Sequence, residues 1–221
     1  MRALVTGALG FAGRHLLELL KSKKDINIFA ADLSRDKKGL DETISYLPCD
    51  LEKEKQAYSL VKKAEPDIIF HLAAKSVVQN CWDNPTGIVK SNMLIQHNLL
   101  EAVKKMNLKP VIHIACSAQE YGDVDKSFLP IDENTPLNPS NPYGVSKVMQ
   151  DLFGGLYHKH YGLKVIRTRA FNHTGPGQSD GFACSEFAKQ IASIEKKKQK
   201  PVIYAGNLKP KRDFTDVRDM V

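Results

Sequence analysis

A chain of 221 residues is long enough to bury a sizeable core and corresponds to one large domain or about one and a half. Apolar and charged fractions of 42% and 26% are those of an ordinary globular protein, which excludes overall disorder. The net charge of +7 is concentrated in "KSKKD", "RDKK" and "IEKKKQKP", which read as helix ends and loops without aromatic interleaving or a DNA-reading motif, so no nucleic acid is expected as a partner.

In chain order, "RALVTG" is a short apolar run closed by glycine, predicted as a strand. "FAGRHLLELLKSK" follows with Phe11, Leu16, Leu19 and Leu20 at helical spacing. "INIFAAD" and "ISYLPCD" read as the next strands, "KEKQAYSLVKKA" as a helix, and "DIIFHLAA" as a fourth strand. A long helix from about Pro85 to Met106 leads to the strand "PVIHIACS". After a loop rich in proline and asparagine, a helix from about Pro142 to His160 precedes "KVIRTRAFN". Strands that are apolar on both faces and alternate with helices predict an α/β fold, a doubly wound parallel sheet of Rossmann type. Residues 1–170 are expected to form a dinucleotide-binding domain, and residues 171–221 the start of a substrate-binding region. In "RDFTDVRDMV" Thr215 is the expected N-cap of a helix beginning near Asp216. That helix has room for about six residues where about 10 to 14 are usual, so the C-terminal substrate domain is expected to be incomplete. The four cysteines, Cys49, Cys81, Cys116 and Cys184, lack metal or disulfide spacing, and no metal is expected. No apolar run approaches the roughly 20 residues of a spanning helix, and no signal peptide is evident, so a cytoplasmic location away from membranes is expected.

"TGALGFAG" places Gly7, Gly10 and Gly13 between a predicted strand and a predicted helix. Gly7 permits a tight turn, Gly10 lets the backbone approach a pyrophosphate, and Gly13 allows close packing of helix on sheet. The phosphates would lie at the helix N-terminus, where free N–H groups and the dipole favour anions. Asp32 closes the second strand, where it would accept hydrogen bonds from ribose hydroxyls and favour NAD. Arg35, three residues on, could instead serve NADP, so NAD(H) and NADP(H) both stay open. Asp50, after the third strand, is either a contact for the adenine amino group or a helix N-cap.

"PYGVSK" sets Tyr143 and Lys147 four residues apart on a predicted helix, hence on one face. A tyrosine titrates about three units above neutrality, too high for efficient proton exchange. One positive charge about 4 Å away is worth about 4 kcal/mol at an effective dielectric of 20, so Lys147 is expected to bring the phenol into range.

"TGALGFAG", "HLAAKS", "CSAQEYG", "PYGVSK" and "RAFNHTGPGQ" together resemble the extended short-chain dehydrogenase/reductase family, which acts on nucleotide sugars, over essentially the whole chain. Within it "EYG", "FNHTGPGQS", "EFAKQIASIE" and "GNLKPKRDFTDVRD" are most similar to the branch that reduces GDP-4-keto-6-deoxymannose, which is related to the GDP-mannose 4,6-dehydratases. The resemblance implies a catalytic trio of Ser117, Tyr143 and Lys147, in which Ser117 hydrogen-bonds the sugar oxygen, Tyr143 exchanges its proton, and Lys147 holds the nicotinamide ribose. It implies a cofactor lining of Gly7, Gly10, Phe11, Gly13, Asp32, Asp50, Leu51, Leu72, Ala73, Ala74 and Lys75, with Tyr143 and Lys147. Asn172 and Arg212 would join Ser117 in contacting the sugar or diphosphate. A homodimer through the two long helices is likewise implied.

Two departures bear on the reaction. Gln119 stands where the related dehydratases carry an acid that protonates the leaving C6 hydroxyl, and an amide has no such proton to give. Asn141 replaces the serine usual before "PYG", with no reading from sequence alone. The expected activity is reduction of a nucleotide-linked 4-keto-6-deoxyhexose with NAD(P)H. An NAD-dependent nucleotide-sugar 4-epimerase using the same trio, or a 4,6-dehydratase, is the enzyme alternative, and a cofactor-binding module without turnover is the alternative of another class.

Overall fold

The computed structural model describes residues 1–37, 39–76 and 81–221; Lys38 of the "RDKK" run lies outside the described residues. The chain divides into two compact units, Met1–Ala170 and Phe171–Val221.

The first unit holds a six-stranded parallel sheet. Its strands are β1 (Arg2–Thr6), β2 (Asn27–Asp32), β3 (Ser45–Pro48), β4 (Ile68–His71), β5 (Val111–Ala115) and β6 (Lys164–Thr168), in the order β3-β2-β1-β4-β5-β6. Helices α1 (Phe11–Lys21), α2 (Glu54–Ala64), α3 (Pro85–Lys105) and α4 (Pro142–Tyr161) supply the crossovers. Parallel register sets Leu4 beside Ile69 and Ile69 beside Ile112. This row packs with Leu60 and Val61 of α2 and Leu99, Leu100 and Val103 of α3 in one core. Side chains alternate across a strand, so Ala3 and Val5 point to the other face, and they too are fully buried. There α1, through Leu16, Leu17 and Leu20, turns its apolar stripe inward and lies against β1 and β2. Sequential crossovers run outward in both directions from β1, which leaves a crevice between the carboxyl ends of β1 and β4.

Both long helices start on the same chemistry. Asn84 and Asn141 are N-caps whose side chains accept the N–H groups of Gly87 and Gly144, and Pro85 and Pro142 follow at the first helical position. Between these helices, Gln96 Nε2 donates to the Gln150 carbonyl at 2.7 Å and Gln150 Nε2 to the Asn92 carbonyl at 3.0 Å.

In the second unit β7 (Asn172–Thr174) pairs in parallel with β8 (Phe214–Asp216), and α5 (Ala183–Glu195) and α6 (Val217–Met220) complete it. The expected N-cap at Thr215 is corrected here. Thr215 is the middle of β8, and Asp216 caps α6 by accepting the Arg218 N–H at 2.8 Å. Both residues are cap formers, and the extended pairing of Thr215 with His173 decided between them. Among the described residues no helix is long and apolar enough to cross a membrane.

Candidate active site

The site begins at the turn after β1. Gly7 has φ +69°, and a Cβ there would lie 2.8 Å from the Ala73 nitrogen, so the turn presses on the backbone that follows β4. A Cβ at Gly13 would lie 2.4 Å from the Gly7 oxygen, so only glycine lets α1 start this close to the turn. Gly10 is the N-cap of α1 and no side chain caps that end. That helix end, beside a turn too tight for side chains, is a cradle that fits a pyrophosphate. Phe11 opens the helix, edge-on to His15.

Asp32 ends β2 and reaches back to the same turn. One carboxylate oxygen accepts the Leu9 N–H at 3.0 Å, and the other accepts the Leu33 N–H at 2.8 Å. A carboxylate has about four acceptor positions, so capacity remains for a ribose hydroxyl. Asp50 does not cap α2; that position is Lys53. Asp50 instead closes a turn by accepting the Glu52 N–H at 3.1 Å and pairs with Lys53 at 3.4 Å, because the chain needs three more residues before turning helical. The Leu51 side chain is buried in the core, and its carbonyl accepts Asn98 Nδ2 at 2.8 Å.

After β4, Leu72, Ala73 and Ala74 are half-buried beside the glycine turn. Lys75 is held at both ends. Its N–H donates to Asn92 Oδ1 at 2.7 Å, its carbonyl accepts Asn92 Nδ2 at 3.2 Å, and its ammonium lies 3.3 Å from Glu52. Asn92 also donates to Ser146 Oγ on α4 at 2.9 Å, so one buried amide ties the post-β4 segment to the helix carrying Tyr143. Sequence reasoning missed Asn92; the available signal was a polar residue on a helix face of otherwise apolar spacing.

Ser117 follows β5 and caps a single turn of 3-10 helix, Ala118–Glu120. Its hydroxyl accepts the Gln119 N–H at 3.2 Å and lies near enough to Tyr143 to act on the phenol. Tyr143 and Lys147, on the first turns of α4, are 9% and 4% exposed, so the structure brings the trio together beneath the surface. The expected effect of Lys147 on the phenol is corrected. The ammonium donates to the Ala115 carbonyl at 2.8 Å and lies 5.8 Å from the centre of the tyrosine ring. Burial pushes Tyr143 up to about 12, with the Ser117 hydroxyl pulling the other way, and burial pushes Lys147 down to about 8. Desolvation of both groups outweighs their proximity.

Gln119 and Asn141 turn out to be partners. Asn141 Nδ2 donates to Gln119 Oε1 at 3.0 Å while Asn141 Oδ1 accepts the Gly144 N–H at 2.8 Å. A serine at 141 could cap the helix but could not also reach across as an amide donor, which accounts for the asparagine. Glu120 is fully buried, with one oxygen accepting the Ser117 N–H at 3.0 Å.

The second unit carries the two remaining candidates. Asn172 opens β7 in register with Phe214, two residues after Arg212. Arg212 is exposed, its guanidinium donating to the Lys211 carbonyl at 2.9 Å.

The family model described as GDP-mannose 4,6 dehydratase matches residues 4–221. A GDP-6-deoxy-D-mannose reductase from Pseudomonas aeruginosa is 29% identical over 228 aligned residues, covering 100% of this chain and 68% of the relative. Among solved structures, RMD from Pseudomonas aeruginosa complexed with NADPH superposes with a TM-score of 0.84 at 30% identity, over 100% of this chain and 71% of that one. UDP-glucose 4-epimerase from Thermus thermophilus in complex with NAD superposes with a TM-score of 0.87 at 25% identity, over 100% of this chain and 72% of that one.

Proposed function

The chain belongs to the GDP-mannose 4,6 dehydratase family, and from that premise we propose that it reduces the C4 keto group of a nucleotide-linked 4-keto-6-deoxyhexose, GDP-4-keto-6-deoxymannose, using NADH or NADPH. The observation that carries this reading is the pairing at position 119. Gln119 has no acidic proton, and its amide oxygen is already bound by Asn141. A site with one tyrosine acid and an amide at 119 suits carbonyl reduction better than loss of a hydroxyl as water.

The cradle of Gly7, Gly10 and Gly13, with Asp32 behind it, would hold the dinucleotide, and a bound reduced nicotinamide supplies the hydride. Ser117 donates a hydrogen bond to the C4 oxygen as negative charge grows there. Tyr143 then gives that oxygen its proton. Lys147, anchored on the Ala115 carbonyl, presents its remaining N–H groups to the ribose and keeps positive charge beneath the tyrosinate that forms. Asn172 and Arg212 would contact the sugar or diphosphate.

Incubating the chain with GDP-4-keto-6-deoxymannose and each reduced cofactor is expected to consume NAD(P)H in proportion to a 4-hydroxy product. A 4-epimerase is the second reading, favoured by the superposition on the Thermus thermophilus enzyme and by the absence of any need for an acid at 119. Interconversion of nucleotide sugars without net loss of NAD(P)H would establish it in place of the reductase.

We also read the chain as a homodimer through α3 and α4. On α4 the apolar residues Val145, Met149, Leu152 and Leu156 recur at helical spacing and are 39%, 37%, 56% and 58% exposed. A continuous apolar stripe on a solvent face marks an association surface. The double substitution Leu152→Glu and Leu156→Glu is expected to give a monomer by light scattering; a dimer unchanged at micromolar concentration would refute this.

A further inference from the structure

A fully buried carboxylate in a turn needs a reason, because an apolar side chain of similar size would fill the same space without the desolvation of a charge. Glu120 is such a residue, and it is bound to Ser117 at two points: Ser117 N–H donates to Glu120 Oε1 at 3.0 Å, and Glu120 N–H donates to the Ser117 carbonyl at 3.1 Å. The neighbouring backbone is tied to the segment leaving β6, with Cys116 N–H on the Thr168 carbonyl and Ala118 N–H on the Ala170 carbonyl, both at 2.9 Å.

The other carboxylate oxygen is buried and makes no hydrogen bond among the described residues, and it lies 3.3 Å from Arg169 Nε. That Nε–H is directed instead to Asp151 Oδ2 at 2.8 Å, while Arg169 Nη1 reaches Tyr121 Oη at 3.2 Å and the Glu133 carbonyl at 3.0 Å. Asp151, 1% exposed on its side chain, also pairs with Arg167. The charged and titratable groups facing Glu120 are therefore Cys116 from its own loop, Tyr143, Lys147 and Asp151 from α4, and Arg169 beyond β6. One guanidinium serves two carboxylates, and Glu120 receives the weaker share.

Resting on the reading of Ser117 as a catalytic hydroxyl, we propose that Glu120 is a positioning residue for the reduction: its carboxylate clamps the Ser117 backbone and so fixes the Ser117 hydroxyl against Tyr143. Burial, with Asp151 nearby, pushes Glu120 up to about 7, against the opposing pull of the Ser117 N–H, Arg169 and Lys147. The clamp is strongest when the carboxylate is ionised, since a charged acceptor holds an N–H about twice as strongly as a neutral one. Turnover is therefore expected to fall as pH drops through about 7.

The test compares Glu120→Gln, Glu120→Leu and Ser117→Ala in the full chain, with kcat and KM measured from pH 5.5 to 9 on GDP-4-keto-6-deoxymannose and NADPH. Glu120→Leu is expected to lose about 10- to 100-fold in kcat, the range for a hydrogen bond to a charged group, with both KM values near wild type. Glu120→Gln keeps an acceptor for the Ser117 N–H and is expected to lose the acid limb. It should also melt higher than wild type at pH 8, with the gap closing as pH falls toward about 4. A carboxylate raised in the folded state binds extra protons between its unfolded and folded values, so the wild type loses stability as pH rises through that window and the amide does not. A merely structural role does not predict higher stability together with a lost pH limb. An acid limb retained in Glu120→Gln, or wild-type kcat in a folded Glu120→Leu, overturns the inference while leaving Ser117 in place if Ser117→Ala is inactive. Full turnover by Ser117→Ala overturns the reading beneath it. If the wild-type chain does not turn this sugar over, hydrogen exchange of the Ser117 amide decides: protection equal in wild type and Glu120→Leu overturns the clamp, and protection lost in the variant supports it.

Discussion

Tyr143→Phe is expected to lower kcat by about 10²- to 10⁴-fold, the span of a positioned acid–base group, while NADPH still binds. The substitution removes one oxygen from a side chain that is 9% exposed and leaves the ring, its packing and the helix cap at Asn141 untouched. What disappears is the phenolic proton that the proposed reduction would deliver to the C4 oxygen. Because burial holds the phenol protonated up to about 12, its own titration is not expected within the working pH range. The alkaline limb should come from Lys147, pushed down to about 8. Above that value the ammonium becomes a neutral amine and no longer steadies the tyrosinate, so kcat falls as pH rises through about 8. Fluorescence titration of NADPH alongside stopped-flow oxidation separates the two quantities. A Tyr143→Phe variant that keeps wild-type kcat would remove the tyrosine from the mechanism.

Gly13→Val carries the largest expected effect on the fold and on cofactor binding together. Even a methyl group at this position would meet the Gly7 oxygen at 2.4 Å and the Ala8 oxygen at 2.8 Å, both backbone atoms with no room to rotate away. Overpacking of this kind costs about 1 to 3 kcal/mol for Gly13→Ala, with more for valine. In a chain of this size that is a fall of about 2 to 12 °C in Tm. The helix can relieve the clash only by moving its N-terminus away from the glycine turn, which dismantles the anion cradle. NADPH affinity is therefore expected to drop at least about 100-fold, since two or more charge-assisted hydrogen bonds lose their geometry. Differential scanning calorimetry and an NADPH titration check both parts, and wild-type values for either would show that α1 does not need to approach the turn this closely.

Much of the architecture was legible because it depends on local pattern. Apolar runs with no polar alternation marked β1, β2 and β4 as strands covered on both faces, and the spacing of Leu16, Leu19 and Leu20 marked α1. Tyr143 and Lys147 could be placed on one helix face from their four-residue separation, and the structure puts both under cover at the start of α4. The misses arose where the outcome depended on partners distant in sequence. Asp50 was weighed between an adenine contact and a cap, but the N-cap of α2 is Lys53, three residues later. Thr215 was chosen over Asp216 without knowing that Thr215 would pair with His173.

The energetics of the site show the same division. From spacing alone, Lys147 should have drawn the tyrosine proton equilibrium toward neutrality; the tertiary structure desolvates both groups and turns the ammonium to the Ala115 carbonyl, so the phenol stays protonated. Gln119 was legible as an absent acid, whereas its bond to Asn141, 22 residues away, required α4 to be folded against the loop. Glu120 read from sequence only as part of "EYG", a motif of the resemblance; its meeting with Arg169 and Asp151 exists because β5, β6 and α4 converge there. The sequence by itself determined the order of elements and the glycine turn, because these follow from backbone sterics and short-range periodicity. Only the tertiary structure decided which charges are buried and what each one faces, because desolvation and long-range ion pairs are properties of the assembled core.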